Sequence, residues 1–201
     1  GVLSALTRKV VAIPMLPGLK LDRRSEADNT EEESEASADF NMTMERLASN
    51  DTRNSIILAT IEDAVRKGHK VVFFGCSVEH ARLLSAALLL RDIPAAMIDS
   101  STPMTVRQEV VDRFRSGRLK VLGNFTVFSA GFDAPGTDYV VIARPTTSIV
   151  TYSQMIGRAL RGPKMGGASQ AFLVEFSDAI AHYRKSGEIY NHFNRYWSSE
   201  S

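Results

Sequence analysis

Apolar residues recur along this chain at two spacings that take turns, and the alternation predicts the fold. Ile56, Ile57, Ile61, Ala64 and Val65 follow helical spacing, and the pattern stops at Gly68, a residue suited to a helix end. Lys70 to Phe74 is then a short continuous apolar run, hence a buried strand. Val78 to Arg91 returns to helical spacing, with Ala81, Leu84, Ala87 and Leu88 on one face. Ala95 to Ile98 reads as a strand. Thr105 and Gln108 have capping-box spacing, and the helix they are expected to open runs to Gly117. Leu119 to Leu122 and Tyr139 to Ala143 read as strands, Ile149 to Leu160 as a helix, Ala171 to Glu175 as a strand, and Asp178 to about Tyr196 as mostly helix. Continuously apolar strands that alternate with helices predict an α/β fold, a parallel sheet covered on both faces. No repeat unit is found.

In such a sheet the ligand crevice lies beyond the carboxyl ends of the strands. Gly75, Cys76 and Ser77 follow one predicted strand, Asp99 to Thr102 another, Asn124 to Pro135 a third and Arg144 to Thr147 a fourth. The polar and glycine-rich punctuation therefore falls on one edge.

Composition narrows the class. The 201 residues are 44% hydrophobic and 23% charged, ordinary for a soluble globular domain or a domain with an appendage. One cysteine, Cys76, excludes an intrachain disulfide and argues against structural zinc; its apolar neighbours favour a buried, inert thiol. His69, His80, His182 and His192 lack metal-ligand spacing, so no metal site is expected. No apolar stretch approaches about 20 residues, and Gly1 to Lys20 does not resemble a secretory signal; no membrane contact and a cytoplasmic location are expected. The chain opens on Gly1 rather than Met, so a processed or truncated chain is expected.

Charge is unevenly spread. Residues 22–39 hold eight of the 23 acidic and two of the 24 basic residues, so the rest of the chain carries a net charge of +7. That stretch reads as a mobile surface insertion, and the remainder is compatible with a polyanionic partner.

Two runs carry candidate chemistry. Gln154-Met155-Ile156-Gly157-Arg158-Ala159-Leu160-Arg161 places two arginines three apart on a helix, with a glutamine four residues before the first. Forked cations suit a triphosphate, whose oxygens gather charge during transfer. By itself the run fits an amphipathic helix with solvated arginines equally well. In Ser129-Ala130-Gly131-Phe132-Asp133-Ala134-Pro135, Gly131 permits close backbone approach, Asp133 can accept hydrogen bonds from a ribose and Pro135 stiffens the turn. Taken alone, a simple turn-forming loop is the stronger reading.

Together these runs resemble the second motor domain of superfamily 2 helicases and translocases. Val71 to Ser77 is similar to the family's motif IV, Ser129 to Pro135 to motif V and Gln154 to Arg161 to motif VI, in the family's order across roughly residues 54–175. The resemblance implies a RecA-like fold over residues 54–201, preceded by a lead-in over residues 1–53 that contains the acidic insertion. It implies that Arg158 and Arg161 meet the γ-phosphate of ATP, one as an arginine finger. Gln154 would couple nucleotide to the domain interface, and Gly131 and Asp133 would contact the nucleotide. Ser77, Thr102, Arg107, Asn124 and Thr126 fall where the family touches the nucleic-acid backbone, although Ser77 serves equally as a helix cap and Thr102 as a loop residue. Arg144-Pro145-Thr146 and Tyr152 to Met155 look closest to bacterial DNA-repair helicases and restriction-enzyme motor subunits. Met155 stands where several branches have Arg, which disfavours the RNA-helicase branch.

Other departures bear on the reading. Ser129 replaces the usual Thr and keeps its hydroxyl; Ala130 loses a polar contact. No Gly-x-x-x-x-Gly-Lys-Ser/Thr phosphate loop and no Asp-Glu box is present. Those belong to the first motor domain, which would hold most of the Mg2+-ATP. The expectation is half of an ATP-dependent motor, inactive alone. Its partners would be the first RecA-like domain of the same parent chain and a nucleic acid, expected to be DNA. The alternatives are a non-enzymatic docking module and a restriction-enzyme motor subunit.

Overall fold

A computed structural model describes residues 5–14, 40–125, 136–145, 149–159 and 167–178. Among these residues the strands form one six-stranded sheet in the order β1-β6-β5-β2-β4-β3, every pairing parallel. The strands are β1 (Ala5–Ala12), β2 (Val71–Phe74), β3 (Ala95–Met97), β4 (Val121–Asn124), β5 (Tyr139–Ile142) and β6 (Gln170–Ser177). The helices are α1 (residues 40–48), α2 (Asp51–Arg66), α3 (Val78–Leu89), α4 (Met104–Arg115) and α5 (Ile149–Ala159).

Every strand and helix expected between residues 56 and 177 forms, within a few residues of its expected ends. The core has two halves because a strand points successive side chains to opposite faces. Val72 and Phe74 pack with Val110 and Phe114 of α4 and Tyr152, Met155 and Ile156 of α5. Val71 and Phe73 pack with Ile57 and Ile61 of α2 and Ala81, Leu84 and Leu88 of α3. Gly68, at φ +91°, takes the left-handed turn after α2 that a side chain would strain.

Two features differ from the expectation. The capping box at Thr105 and Gln108 does not form. Pro103 occupies the cap position, the helix has already begun at Met104, and no side chain caps it. Proline presets the backbone for that entry, and its carbonyl accepts the amide of Arg107 at 2.9 Å, so Thr105 lies inside the helix. Strand β1, within the lead-in, is the second. It borders the sheet, pairs Ala5 to Ala12 with Gln170 to Ser177, and is tied to β6 by an Arg8–Glu175 ion pair. The acidic residues 22–39 and the helix expected beyond Asp178 lie outside the described residues.

Candidate functional site

β4 and β5 flank β2, so three strand ends meet side by side. The segment after β2 is stitched to both neighbours. Gly75 N donates to Asn124 O at 2.8 Å, and Ala143 N donates to Phe74 O at 2.9 Å. Gly75 is needed here: a Cβ would sit 3.0 Å from the Ala81 nitrogen of α3. The loop thus lies tight on the helix it feeds.

Ser77 caps α3. Its hydroxyl oxygen accepts the amide of His80 at 3.0 Å. A hydroxyl has two lone pairs and one proton, so capping leaves its hydrogen for an outside acceptor. The helix N-terminus beside it adds a positive partial charge.

Thr102 and Arg107 meet at Asp99, past the end of β3. Thr102 Oγ1 accepts the Asp99 amide at 3.0 Å and donates to Asp99 Oδ1 at 3.1 Å. Arg107 Nη2 donates to Asp99 O at 2.9 Å. The Ser101 hydroxyl, first among several donors, holds the Asp99 carboxyl below the usual range. The Thr102 hydroxyl is therefore committed to its own turn. Asn124 closes β4 at only 3% exposure, and its Oδ1 has no hydrogen-bond partner among the described residues.

Gln154 is exposed on α5, opposite the buried Tyr152, Met155 and Ile156. Arg158 lies within the same helix, its side chain outside the described residues. Thr126, Gly131, Asp133 and Arg161 also lie outside them. The described residues contain no group of three or more His, Cys, Asp or Glu able to hold a metal ion. No described helix is long and apolar enough to cross a membrane.

Beneath this edge lies a buried polar network that sequence analysis does not name. Arg53, fully buried on α2, donates from Nε and Nη2 to the two carboxylate oxygens of Asp178 at 2.7 and 2.9 Å. Nη2 also reaches Ala143 O at 3.0 Å, and Nη1 lies 3.7 Å from Cys76 Sγ. One guanidinium thereby binds the segments after β2, β5 and β6. Burial lowers its pKa, but the Asp178 hydrogen bonds and the nearby Cys76 and Asp178 charges more than offset this, and the net shift is upward. Burial pushes the Cys76 thiol up to about 11, and Sγ donates to Ala143 O at 3.2 Å, which suits an inert thiol.

His80 extends the network. Burial first, then the Arg53 cation, pulls it down to about 4. It is neutral at pH 7, and Nδ1 accepts the Cys76 amide at 3.0 Å. The ring proton therefore sits on Nε2, which faces Asn54 Oδ1 at 2.9 Å. Asn54 Nδ2 in turn donates to Ala48 O of α1 at 2.7 Å. One sequence signal points to Arg53: the apolar stripe Ile57, Ile61, Ala64 runs back by four onto that position.

Comparison with known proteins supplies the family. The sequence profile described as "Helicase conserved C-terminal domain" matches residues 52–163. A "51.5 kDa protein" of a Lactococcus phage is 34% identical over 94 residues, covering 47% of this chain and 21% of that protein. The ATP-dependent RNA helicase ROK1 of Eremothecium gossypii is 29% identical over 127 residues, covering 62% of this chain and 22% of that protein. The chain spans about a fifth of the length of these relatives. The structure of the C-terminal domain of the DEAD-box protein Dbp5 shares the fold with a TM-score of 0.55 at 19% identity, covering 76% of this chain and 82% of that one. The sheet is thus RecA-like, and the profile takes in more than half of the sequence. The chain belongs to the helicase conserved C-terminal domain family.

Proposed function

We propose that this chain is the carboxyl-terminal motor domain of an ATP-dependent nucleic-acid helicase or translocase. The observation that carries the proposal is the convergence of the Gly75–Ser77, Ile98–Thr102 and Asn124–Phe125 segments on one sheet edge in a chain of this family. Residues 54–201 would form the motor domain and residues 1–53 its lead-in. ATP, bound between this domain and a first RecA-like domain of the same parent chain, would supply the free energy for movement. Arg158 and Arg161 would meet its γ-phosphate, Gly131 and Asp133 its remainder, and Gln154 would report its state across the interface. Mg2+ would be held mainly by that first domain.

Five side chains would touch the nucleic-acid backbone: Ser77, Thr102, Arg107, Asn124 and Thr126. Ser77 has the best geometry among those described, with a hydroxyl hydrogen at a helix N-terminus. Thr102 acts through its turn, and Asn124 must turn outward to reach a phosphate. We take the nucleic acid to be single-stranded DNA, from the Arg144-Pro145-Thr146 and Tyr152 to Met155 wording. RNA is the second reading, favoured by relatives named as RNA helicases and by a fold neighbour, Dbp5, bound to RNA and ADP BeF3.

The test is ATP hydrolysis by the full-length protein with single-stranded DNA or RNA. Arg161→Ala should lower kcat on the order of a thousandfold while ATP affinity changes far less, because a finger acts on charge that develops in the transition state. The 201-residue chain alone should not hydrolyse ATP. Near-normal turnover of Arg161→Ala refutes the assignment, and stimulation by RNA but not DNA selects the second reading.

A further inference from the structure

Arg144 follows β5 and reaches back across the sheet edge to Phe125, the residue after β4. Its Nη1 donates to Phe125 O at 2.8 Å, and its guanidinium carbon lies 4.9 Å from the centroid of the Phe125 ring. One planar cation thus grips one residue twice, through the main chain and through the ring. A lysine ammonium can supply either contact but lacks the plane and fork to supply both.

The root of this arm is fixed. Ala143 O accepts from Arg53 Nη2 and Cys76 Sγ, and Ala143 N donates to Phe74 O. Ala143, the residue before Arg144, is thus held by three hydrogen bonds. Phe125, at the far end, stands between Asn124 and Thr126 in sequence. Five residues after Arg144 begins α5, which carries Gln154.

We infer that Arg144 is a positioning residue: its two-point grip on Phe125 ties the strand end that presents nucleic-acid contacts to the strand end from which the ATP-facing helix departs. The inference rests on the motor reading above. It gives nucleic-acid contact at Asn124 and Thr126 a short mechanical route to Gln154, without Arg144 touching either ligand.

The experiment uses the full-length protein and measures ATP turnover with and without saturating single-stranded nucleic acid, DNA and RNA in separate arms. Arg144→Lys keeps at most one of the two contacts and should cut the stimulated kcat by roughly tenfold, the scale of one lost charged hydrogen bond. Basal turnover and the KM for ATP should stay within about twofold, since neither Arg144 nor Phe125 is among the residues proposed to hold the nucleotide. Phe125→Leu keeps the carbonyl and loses only the ring, so the stimulated rate should fall about threefold. The double variant should be no worse than Arg144→Lys, because both remove one device. If Arg144→Lys does not fold, Phe125→Leu decides alone. Basal and stimulated rates falling together, or an unchanged ratio between them, overturn the role of Arg144. A wild-type protein that neither nucleic acid stimulates overturns the motor reading, and this inference with it.

Discussion

Replacing Arg53 by Met tests the buried network directly. The substitution keeps an apolar stem of similar length in α2 and removes the cation. It leaves the Asp178 carboxylate, whose side chain is 4% exposed, without the partner that fills both its oxygens. Ala143 O keeps the Cys76 thiol as a donor, so the main loss is the charge pair. Removing one partner of a buried pair costs about 3–5 kcal/mol, because a desolvated charge is left behind. Against a typical total of about 5–15 kcal/mol that is a large fraction. For a chain of this size each kcal/mol moves Tm by about 2–4 °C, so a drop of about 6–20 °C is expected. Urea unfolding followed by circular dichroism at pH 7 should show a lower midpoint with an unchanged slope. The double change Arg53→Met with Asp178→Leu removes both charges and should recover most of the loss. A single variant less than about 1 kcal/mol below the parent, or a double variant as unstable as the single, refutes the reasoning.

Three further outcomes follow. His80 should make the fold acid-sensitive: its folded pKa of about 4 lies below the usual 6.5, so the unfolded chain takes up its proton first. Stability should then be full above pH 6.5 and fall by about 3 kcal/mol as pH drops toward 4; a ring titrating near 6.5 in the folded protein by NMR refutes this. Ser77→Ala should cost about 1 kcal/mol through the lost cap, whereas Ser77→Asp keeps the cap and repels phosphate. Near-parental stability with weakened nucleic-acid binding is expected of Ser77→Asp, and unchanged binding would remove Ser77 from the interface. Deleting residues 24–37, which hold most of the acidic stretch, should leave Tm within about 2 °C and slightly strengthen binding to single-stranded DNA. A collapsed melting transition would show that the stretch packs on the domain.

The central sheet was legible because its strands are buried on both faces. Val71 to Phe74, Val121 to Leu122 and Tyr139 to Ile142 are short apolar stretches, and burial leaves such stretches few alternatives. Strand β1 carries a weaker signal. It sits at the sheet border, every one of its side chains stays at least partly exposed, and Thr7, Arg8 and Lys9 interrupt its apolar residues. The start of α4 failed differently. Capping-box spacing is a local rule, and Pro103 two residues earlier satisfied the helix entry by another local rule.

At the site, residue type was legible and hydrogen-bond bookkeeping was not. The polar residues after β2, β3 and β4 stand out because they interrupt an apolar rhythm. What each hydroxyl does depends on which lone pair and which proton the fold consumes. Ser77 gives its oxygen to His80 and retains a proton, while Thr102 gives both to Asp99. Two hydroxyls of equal standing in the sequence thus differ in what they can offer a phosphate. The Arg53–Asp178 and Arg144–Phe125 contacts lie deeper still, because their partners are 125 and 19 positions apart. A parallel sheet makes such contacts unavoidable: each crossover returns the chain to the same end, so residues distant in sequence crowd one edge. Edge charges must then be paired across elements or left desolvated. Arg53 and Arg144 are held across elements in this way, and their contacts give the ends of β2, β4, β5 and β6 a common mechanical frame.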